Sequence, residues 1–278
     1  VCTLTVIQTP NDPAHSESTI ERIAFNRDEL LTRAPGLPPR AVDSAGVTAV
    51  MPLDPDAGGA WIACTSLGLV LALLNRTNPS DRQPPPDQQT SRGLIIPSLV
   101  ASTSVTSALA SLYDRFDAEG NPTVRPFTLW MSDGRSHAIV RHTGRSLTCR
   151  LCLTPSRWLI LSSSSLGDDR VRAARAAAFR LSLATNTSSV RAQDAFHNTF
   201  ASPPDPIGPL VRRADARTLS QTVIVRRHDQ LTLHHRDLPA RTDQPDLGVP
   251  FSSHTIAISR PRTLADRHST VPASPGQR

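Results

Sequence analysis

The sequence predicts an α+β fold: two antiparallel sheets with helices on their outer faces. Three observations carry this. Segments with strand periodicity and helix periodicity follow one another as strands, helix, strands, helix, strands. The stretch from Ala60 to Leu74 reads as a hairpin that is apolar on both faces, as a sheet needs when it is packed between other layers. No internal repeat or long linker divides the chain, so one domain is expected over residues 1–259, followed by an Arg/Pro/Ser-rich tail at 260–278 expected to be disordered.

The opening VCTLTVIQ alternates as a strand, with Cys2, Leu4 and Val6 on one face. A polar loop, Thr9 to Ser18, leads to a short strand, Ile20 to Phe25, which delivers Asn26-Arg27-Asp28-Glu29. Pro35, Pro38 and Pro39 argue against regular structure in the next segment. Val47 to Met51 reads as a third strand, and Ala60–Cys64 with Leu69–Leu74 as the hairpin, turning at Thr65 to Gly68. Residues 76–90, centred on Pro84-Pro85-Pro86, read as a surface loop.

Val105, Leu109, Leu112 and Phe116 then repeat on one helix face, and Gly120 and Pro122 end that helix. Strands follow at Phe127–Met131, His137–His142, Leu147–Leu153 and Trp158–Leu161. Asp168 and Asp169 suit a helix start, since carboxylates stabilise its positive end. That helix runs to about Leu183 with Val171, Ala174, Ala178 and Leu181 as its apolar side, and its Arg172/Arg175 face reads as solvated. Strands at Thr222–Arg226, Leu231–His235 and His254–Ile258 close the fold; the 76–90 loop and the 185–218 segment either cover a site or face away from it.

Composition excludes several roles. Arginine supplies all 30 basic residues against 24 acidic ones, for a net charge of +6. The absence of lysine, with abundant alanine and proline, reads as a bias toward GC-rich codons. A nucleic-acid surface needs a clustered basic face interleaved with aromatics, whereas aromatics are 4% here and the arginines are dispersed. The longest apolar run, Gly59 to Leu74, is shorter than the ~20 residues that cross a bilayer and is interrupted by Thr65, Ser66 and Gly68. The N-terminus lacks the pattern of a secretory signal, so a cytoplasmic location with free thiols is expected. Oligomeric state is not legible.

Cys2 is the residue with the clearest chemistry. If residue 1 is removed, a thiol and a free α-amine share one residue. Their unperturbed pKa values, roughly 8.5 and 7.7–8.0, let the amine take the thiol proton near neutrality. Val1 fits a GUG start codon that is read as methionine and trimmed before a small residue. The plain alternative for Cys2 is a small core residue in an edge strand. Asp28 and Glu29 beside Arg27 also read as a solvated loop ion pair, Asn75 as a strand-end turn residue, Trp61 as core, and Gly58-Gly59 as a tight approach into the hairpin. Cys149 and Cys152 are three apart on a strand and so point to opposite faces, as do the adjacent His234 and His235; neither pair makes a metal site.

The opening CTLTV is followed by IAFNRDELLTRAP, then by GGAWIACTSLGLVLALLNR at Gly58 to Arg76, Ser91-Arg92-Gly93, Pro126-Phe127-Thr128-Leu129, Thr154-Pro155, and the closing pair TVIV and LTLHHR. In these motifs, in this order, the chain resembles the NRDE family (transport and Golgi organization protein 2). The resemblance implies a four-layer αββα sandwich of the N-terminal-nucleophile hydrolase kind, similar to N-terminal cysteine amidases acting on penicillin V and bile salts. By that similarity Cys2 is the nucleophile and Arg27 lies beside its sulfur, favouring thiolate and orienting the substrate. Asp28, or Glu29 next to it, holds the α-amine, since both carboxylates directly follow Arg27, and Asn75 donates to the oxyanion. Asn26, Glu29, Trp61 and Arg92 are the implied substrate-binding residues, the ligand is a small-molecule amide or acyl compound, and no cofactor or metal is required.

Two polar positions of the family pattern are altered, one within Ser162-Ser163-Ser164 and one at Leu219, near Arg217. They give weight to a second implied reading: a haem or acyl-lipid/acyl-CoA binding or trafficking protein that catalyses nothing. There Arg27 and Arg92 pair with anionic groups, and the Cys2 thiol serves as a haem axial ligand.

Overall fold

A computed structural model of the chain describes residues 2–9, 21–118, 123–153, 157–200, 207–238 and 247–259. One sheet holds β1 (Cys2–Gln8), β2 (Glu21–Leu30), β10 (Trp158–Ser163), β11 (Ala216–Arg227), β12 (Gln230–Asp237) and β13 (Ser252–Ala257). Its order is β10-β1-β2-β11-β12-β13, antiparallel throughout. The other sheet runs in chain order through β3 (Leu37–Ser44), β4 (Val47–Leu53), β5 (Ile62–Thr65), β6 (Val70–Asn75), β7 (Phe127–Ser132), β8 (His137–His142) and β9 (Leu147–Cys152). Helices α1 (Ile95–Leu99) and α2 (Val105–Ala118) precede β7, and α3 (Asp168–Thr185) and α4 (Ser189–His197) precede β11.

Three apolar clusters show how the layers stack. Leu4, Val6, Ile23 and Phe25 meet Ile62, Val70, Ala72 and Trp130 between the sheets. Ile96, Leu99, Val105 and Leu112 pack α1 and α2 on the outer face of the seven-stranded sheet. Ile7, Phe179 and Phe196 join α3 and α4 to the outer face of the other. The order helix, sheet, sheet, helix is the expected αββα sandwich. Strands buried on both faces explain the continuous apolar runs of β6 and its neighbours.

Several boundaries differ from the sequence expectation, each for a physical reason. Pro38 and Pro39 do not prevent a strand: β3 is at the sheet edge, with a register shift between Leu37 and Arg40, where the missing N–H groups cost no ladder bond. β2 continues through Asn26-Arg27-Asp28-Glu29 to Leu30 rather than ending at Phe25, so the motif alternates between two faces. The buried side of α3 is Val171, Arg175 and Phe179; Leu181 is 66% exposed. An apolar-only reading misplaces that face because Arg175 is buried, its guanidinium bonded to Thr3 Oγ1 (2.6 Å) and to the carbonyls of Ile207 (2.8 Å) and Gly208 (2.8 Å).

Helix α4, inside the unassigned 185–218 segment, starts at Ser188, whose Oγ accepts from the Arg191 N–H at 3.3 Å. β11 begins at Ala216, six residues before the expected Thr222, and bulges between Thr218 and Ser220 around Leu219. Most of the loop at 9–18, the helix stop at Gly120 and Pro122, the Thr154-Pro155 motif and the 260–278 tail lie outside the described residues. Among the described residues no helix is long and apolar enough to cross a membrane.

Candidate active site

Cys2 opens the strand at the centre of the interlayer core, where its Cα registers with Arg27 on β2 and Ser163 on β10. Its thiol is buried (5% exposed). Alternation puts Cys2, Leu4 and Val6 toward the other sheet, and the strand end faces the end of β6. Cys2, Arg27, Glu29, Trp61, Asn75 and Arg92 thereby line one cavity of about 80 Å³. Arg33, Asp54, Gly59, Ala60, Leu73, Ser91 and Gly93 complete its wall.

Arg27 is 3% exposed, with its guanidinium 4.2 Å from the centroid of the Trp61 ring. Its Nη2 lies 3.8 Å from Glu29 and 3.9 Å from Asp54, beyond hydrogen-bonding distance, and among the described residues its buried Nη1 has no hydrogen-bond partner. Arg33 draws on the same two carboxylates, Glu29 at 3.9 Å and Asp54 by a close contact. Arg92 caps the cavity from a 3-10 turn, Arg92–Leu94, and donates to the Pro126 carbonyl at 3.0 Å. Burial lowers its pKa to about 10, with Arg125 adding repulsion. That turn is held by backbone contact: the Ala60 N–H donates to Gly93 O at 3.0 Å, and a Cβ on Gly59 would meet the Gly93 carbonyl carbon at 2.5 Å. The glycines admit this close approach, which is the role expected of Gly58-Gly59.

The Cys2 thiol has its pKa raised chiefly by burial; the positive charge of the chain terminus pulls it down, the charges of Asp28 and Glu29 push it up, and a bond from the Asp28 backbone N–H lowers it slightly. Burial thus works against the thiolate that Arg27 is expected to favour, and Arg27 itself lies 3.8 Å and 3.9 Å from two carboxylates. The Cys2 backbone N–H donates to Ser163 Oγ at 3.0 Å. The serine at one altered family position therefore still meets the cysteine's nitrogen. Leu219, at the other, is buried in the β11 bulge.

Asn26 and Asp28 face the opposite side of the sheet from Arg27, because the motif is strand and not loop. Asn26, expected to bind substrate, instead donates to the carbonyls of His197 (3.0 Å) and Pro209 (2.9 Å) and meets His197 Nδ1 at 2.9 Å. Asp28 is fully buried, accepts from Thr218 Oγ1 at 2.5 Å, and among the described residues its Oδ2 has no partner. Burial lifts its pKa to about 6 against the pull of Arg175. Asp28 is therefore beside the Cys2 backbone but not in the Arg27 cavity.

Sequence reasoning missed Arg33, Asp54 and Thr218, whose partners lie in distant segments, and Arg175. Asp168 was read only as a helix start. Its carboxylate also accepts from Ser164 N–H (2.7 Å) and Thr77 N–H (2.9 Å), joining the chain just past Ser163 to the chain just past Asn75. Cys149 and Cys152 are free thiols on β9, and among the described residues no cluster of three His, Cys, Asp or Glu side chains could hold a metal.

Two facing antiparallel sheets between helices define an αββα protein, with a cavity between them that Cys2, Arg27 and Asn75 line. The family model for transport and Golgi organisation 2 matches residues 22–206, well over half the chain, and the chain belongs to that family. No curated protein matches the sequence. Among solved structures the chain is similar to the N-acylethanolamine-hydrolyzing acid amidase ortholog of Caenorhabditis elegans, at 10% identity and a TM-score of 0.49 over 81% of this chain and 92% of that one. It is also similar to a cysteine-to-alanine mutant of the conjugated bile acid hydrolase of Clostridium perfringens, at 10% identity and 0.47 over 94% and 99%. An arginine-to-leucine variant of that hydrolase gives 11% identity and 0.45 over 95% and 99%. The αββα architecture stands on topology and layer packing, independently of these scores.

Proposed function

We propose that the protein is a cysteine N-terminal-nucleophile hydrolase of a carbon–nitrogen (amide) bond, active once the residue before Cys2 is removed. The observation that supports it most is the convergence of Cys2, Arg27 and Asn75 on one cavity. In this reading the Cys2 sulfur attacks the amide carbonyl carbon and its proton passes to the cysteine's own α-amine. The carbonyl electron pair moves to oxygen, where the Asn75 carboxamide donates; one aimed donor of this kind contributes ~2.7–4 kcal/mol. The carbon–nitrogen bond then breaks, the ammonium protonates the leaving nitrogen, and water hydrolyses the thioester with the amine as base. A thiol kept protonated by burial fits this scheme, because the base is needed at the moment of attack.

Ser163 and Asp28 are assigned to the amine, Ser163 from its bond to the Cys2 nitrogen and Asp28 from its unpartnered buried oxygen. With a pKa of about 6, Asp28 is ionised at neutral pH and suited to an ammonium. The unpartnered Nη1 of Arg27 suits a substrate oxygen or carboxylate. A cavity of about 80 Å³ holds the reacting group alone, so the rest of the substrate extends past Arg33 and Ser91. The haem reading does not fit here: the sulfur is buried and the space is far below the roughly 300–1,000 Å³ of small-molecule sites. The test is a panel of fluorogenic N-acyl amides offered to the chain beginning at Cys2. Turnover that falls at least 1,000-fold in Cys2→Ala is expected; turnover that survives the substitution ends the proposal.

A further inference from the structure

The outer face of the six-stranded sheet carries a second cavity, about 420 Å³, which lies within the usual range for small-molecule sites. It lies on the side of β2 facing away from the Cys2 thiol. Its floor is rows of side chains across β2, β11 and β12: Asn26, Gln221, Arg236; then Ala24, Val223, His234; then Arg22 and Val225. The end of α4 forms one wall and Phe251 another. The floor is thus polar at one end and apolar along its middle.

Its charges do not balance. Arg22 is paired with Asp194 at 2.5 Å. Arg236, 8% exposed, is fixed by Gln221 Oε1 (Nε, 2.8 Å), Asn198 Oδ1 (3.1 Å) and the Leu247 carbonyl (2.6 Å), and sits 4.5 Å from the Phe251 centroid. Among the described residues none of its hydrogen-bond partners is a carboxylate. Buried cations are ordinarily paired, because desolvation penalises them. His234 does not change the sum: burial, then Arg22 and Arg227, lower its pKa, so it is neutral near pH 7. Asp194 also attracts Arg236 across the slot, but among the described residues that line it two arginines face this one carboxylate, which leaves one positive charge uncompensated beside an apolar strip.

We propose that this slot binds a monoanionic amphiphile, a carboxylate with an apolar body. The carboxylate lies at Arg236 and the body along Ala24, Val223 and Val225 under Phe251. A neutral amphiphile would leave the Arg236 charge uncompensated, and a cation would oppose it. The site is independent of Cys2 chemistry.

Octanoate, octanol and octylamine, titrated calorimetrically into the full chain, test it. One octanoate per chain is expected, with octanol and octylamine at least tenfold weaker. Val225→Trp, which fills the slot from a half-buried position, should abolish octanoate binding. Arg236→Met should erase the preference over octanol, and Cys2→Ala should leave binding unchanged. Octanol binding as tightly as octanoate, full octanoate affinity in Val225→Trp, or loss of binding in Cys2→Ala would each overturn the proposal.

Discussion

Asp28 and His197 share the outer side of β2, and burial moves their pKa values in opposite directions. His197 is lowered to about 3 by burial and then by Arg22 and Arg175. Its ring meets Asn26 Oδ1 through Nδ1 and Thr5 Oγ1 through Nε2 (2.7 Å), which assigns the proton to Nδ1 because Asn26 Oδ1 only accepts. His197 binds its proton more weakly folded than unfolded, so its contribution is complete above pH 6.5 and is lost as pH falls through about 3. Asp28 binds its proton more tightly folded, so its contribution is complete below pH 3.8 and is lost as pH rises through about 6. Stability of Asp28→Asn relative to the unsubstituted chain should therefore rise between pH 4 and 6 by about 1.4 kcal/mol per unit. Urea titrations at each pH measure it, and a pH-independent difference would contradict the assignment. At this scale Cys2, Asn75 and Arg92 were legible because each stands at a strand end or glycine turn of a recognisable motif, and Arg27 because it belongs to the Asn26–Glu29 motif, although it lies inside β2. Asn26 and Asp28 were not, because a polar run looks like loop until its pairing with β11 is known.

Two elements bring the cavity walls together. The hairpin approach at Gly59 and the turn at Gly93 touch backbone to backbone, so a methyl at Gly59 must push Arg92 away. Gly59→Ala is expected to cost about 1–3 kcal/mol, the usual scale of overpacking, and to reduce the proposed turnover more than Gly46→Ala, whose Cβ meets nothing within 4 Å and whose cost is only the backbone strain of a positive φ far from the cavity. Thermal melts and turnover of the two variants make the comparison. Asp168 performs the matching task on the other side, and Asp168→Ala strands two backbone donors, for about 1–3 kcal/mol. Equal melts for the unsubstituted chain and Asp168→Ala would refute the clamp. The glycine contact was partly readable from Gly58-Gly59, but its partner was not. Helix α4 and the Arg175 face escaped notice for one reason: both bury polar side chains against strand threonines, and periodicity arguments count only apolar ones.

Across the whole molecule the sheets are joined at two ends by different chemistry. At the end remote from Cys2, Glu21 pairs with Arg226 at 3.0 Å and accepts from Ser132 Oγ, while Arg226 donates to the Gly68 and Ser132 carbonyls. Glu21 and Arg226 are 1% and 5% exposed. Arg226→Leu alone leaves a buried carboxylate and should cost about 3–5 kcal/mol. Glu21→Leu/Arg226→Leu should cost less than the single change, which denaturation of the two variants decides. The order of strands and helices made the sandwich legible, but this bridge has no sequence signature, since its partners are brought together only by sheet stacking. At the near end, the cavity at Cys2 carries the account. The most direct measurement is the intact mass of the chain beginning at Cys2, acid-quenched within one turnover of a p-nitrophenyl acyl ester. A single acyl group mapping to Cys2, and absent from Cys2→Ala, is the predicted result; label on exposed Cys149 with none on Cys2 would contradict it.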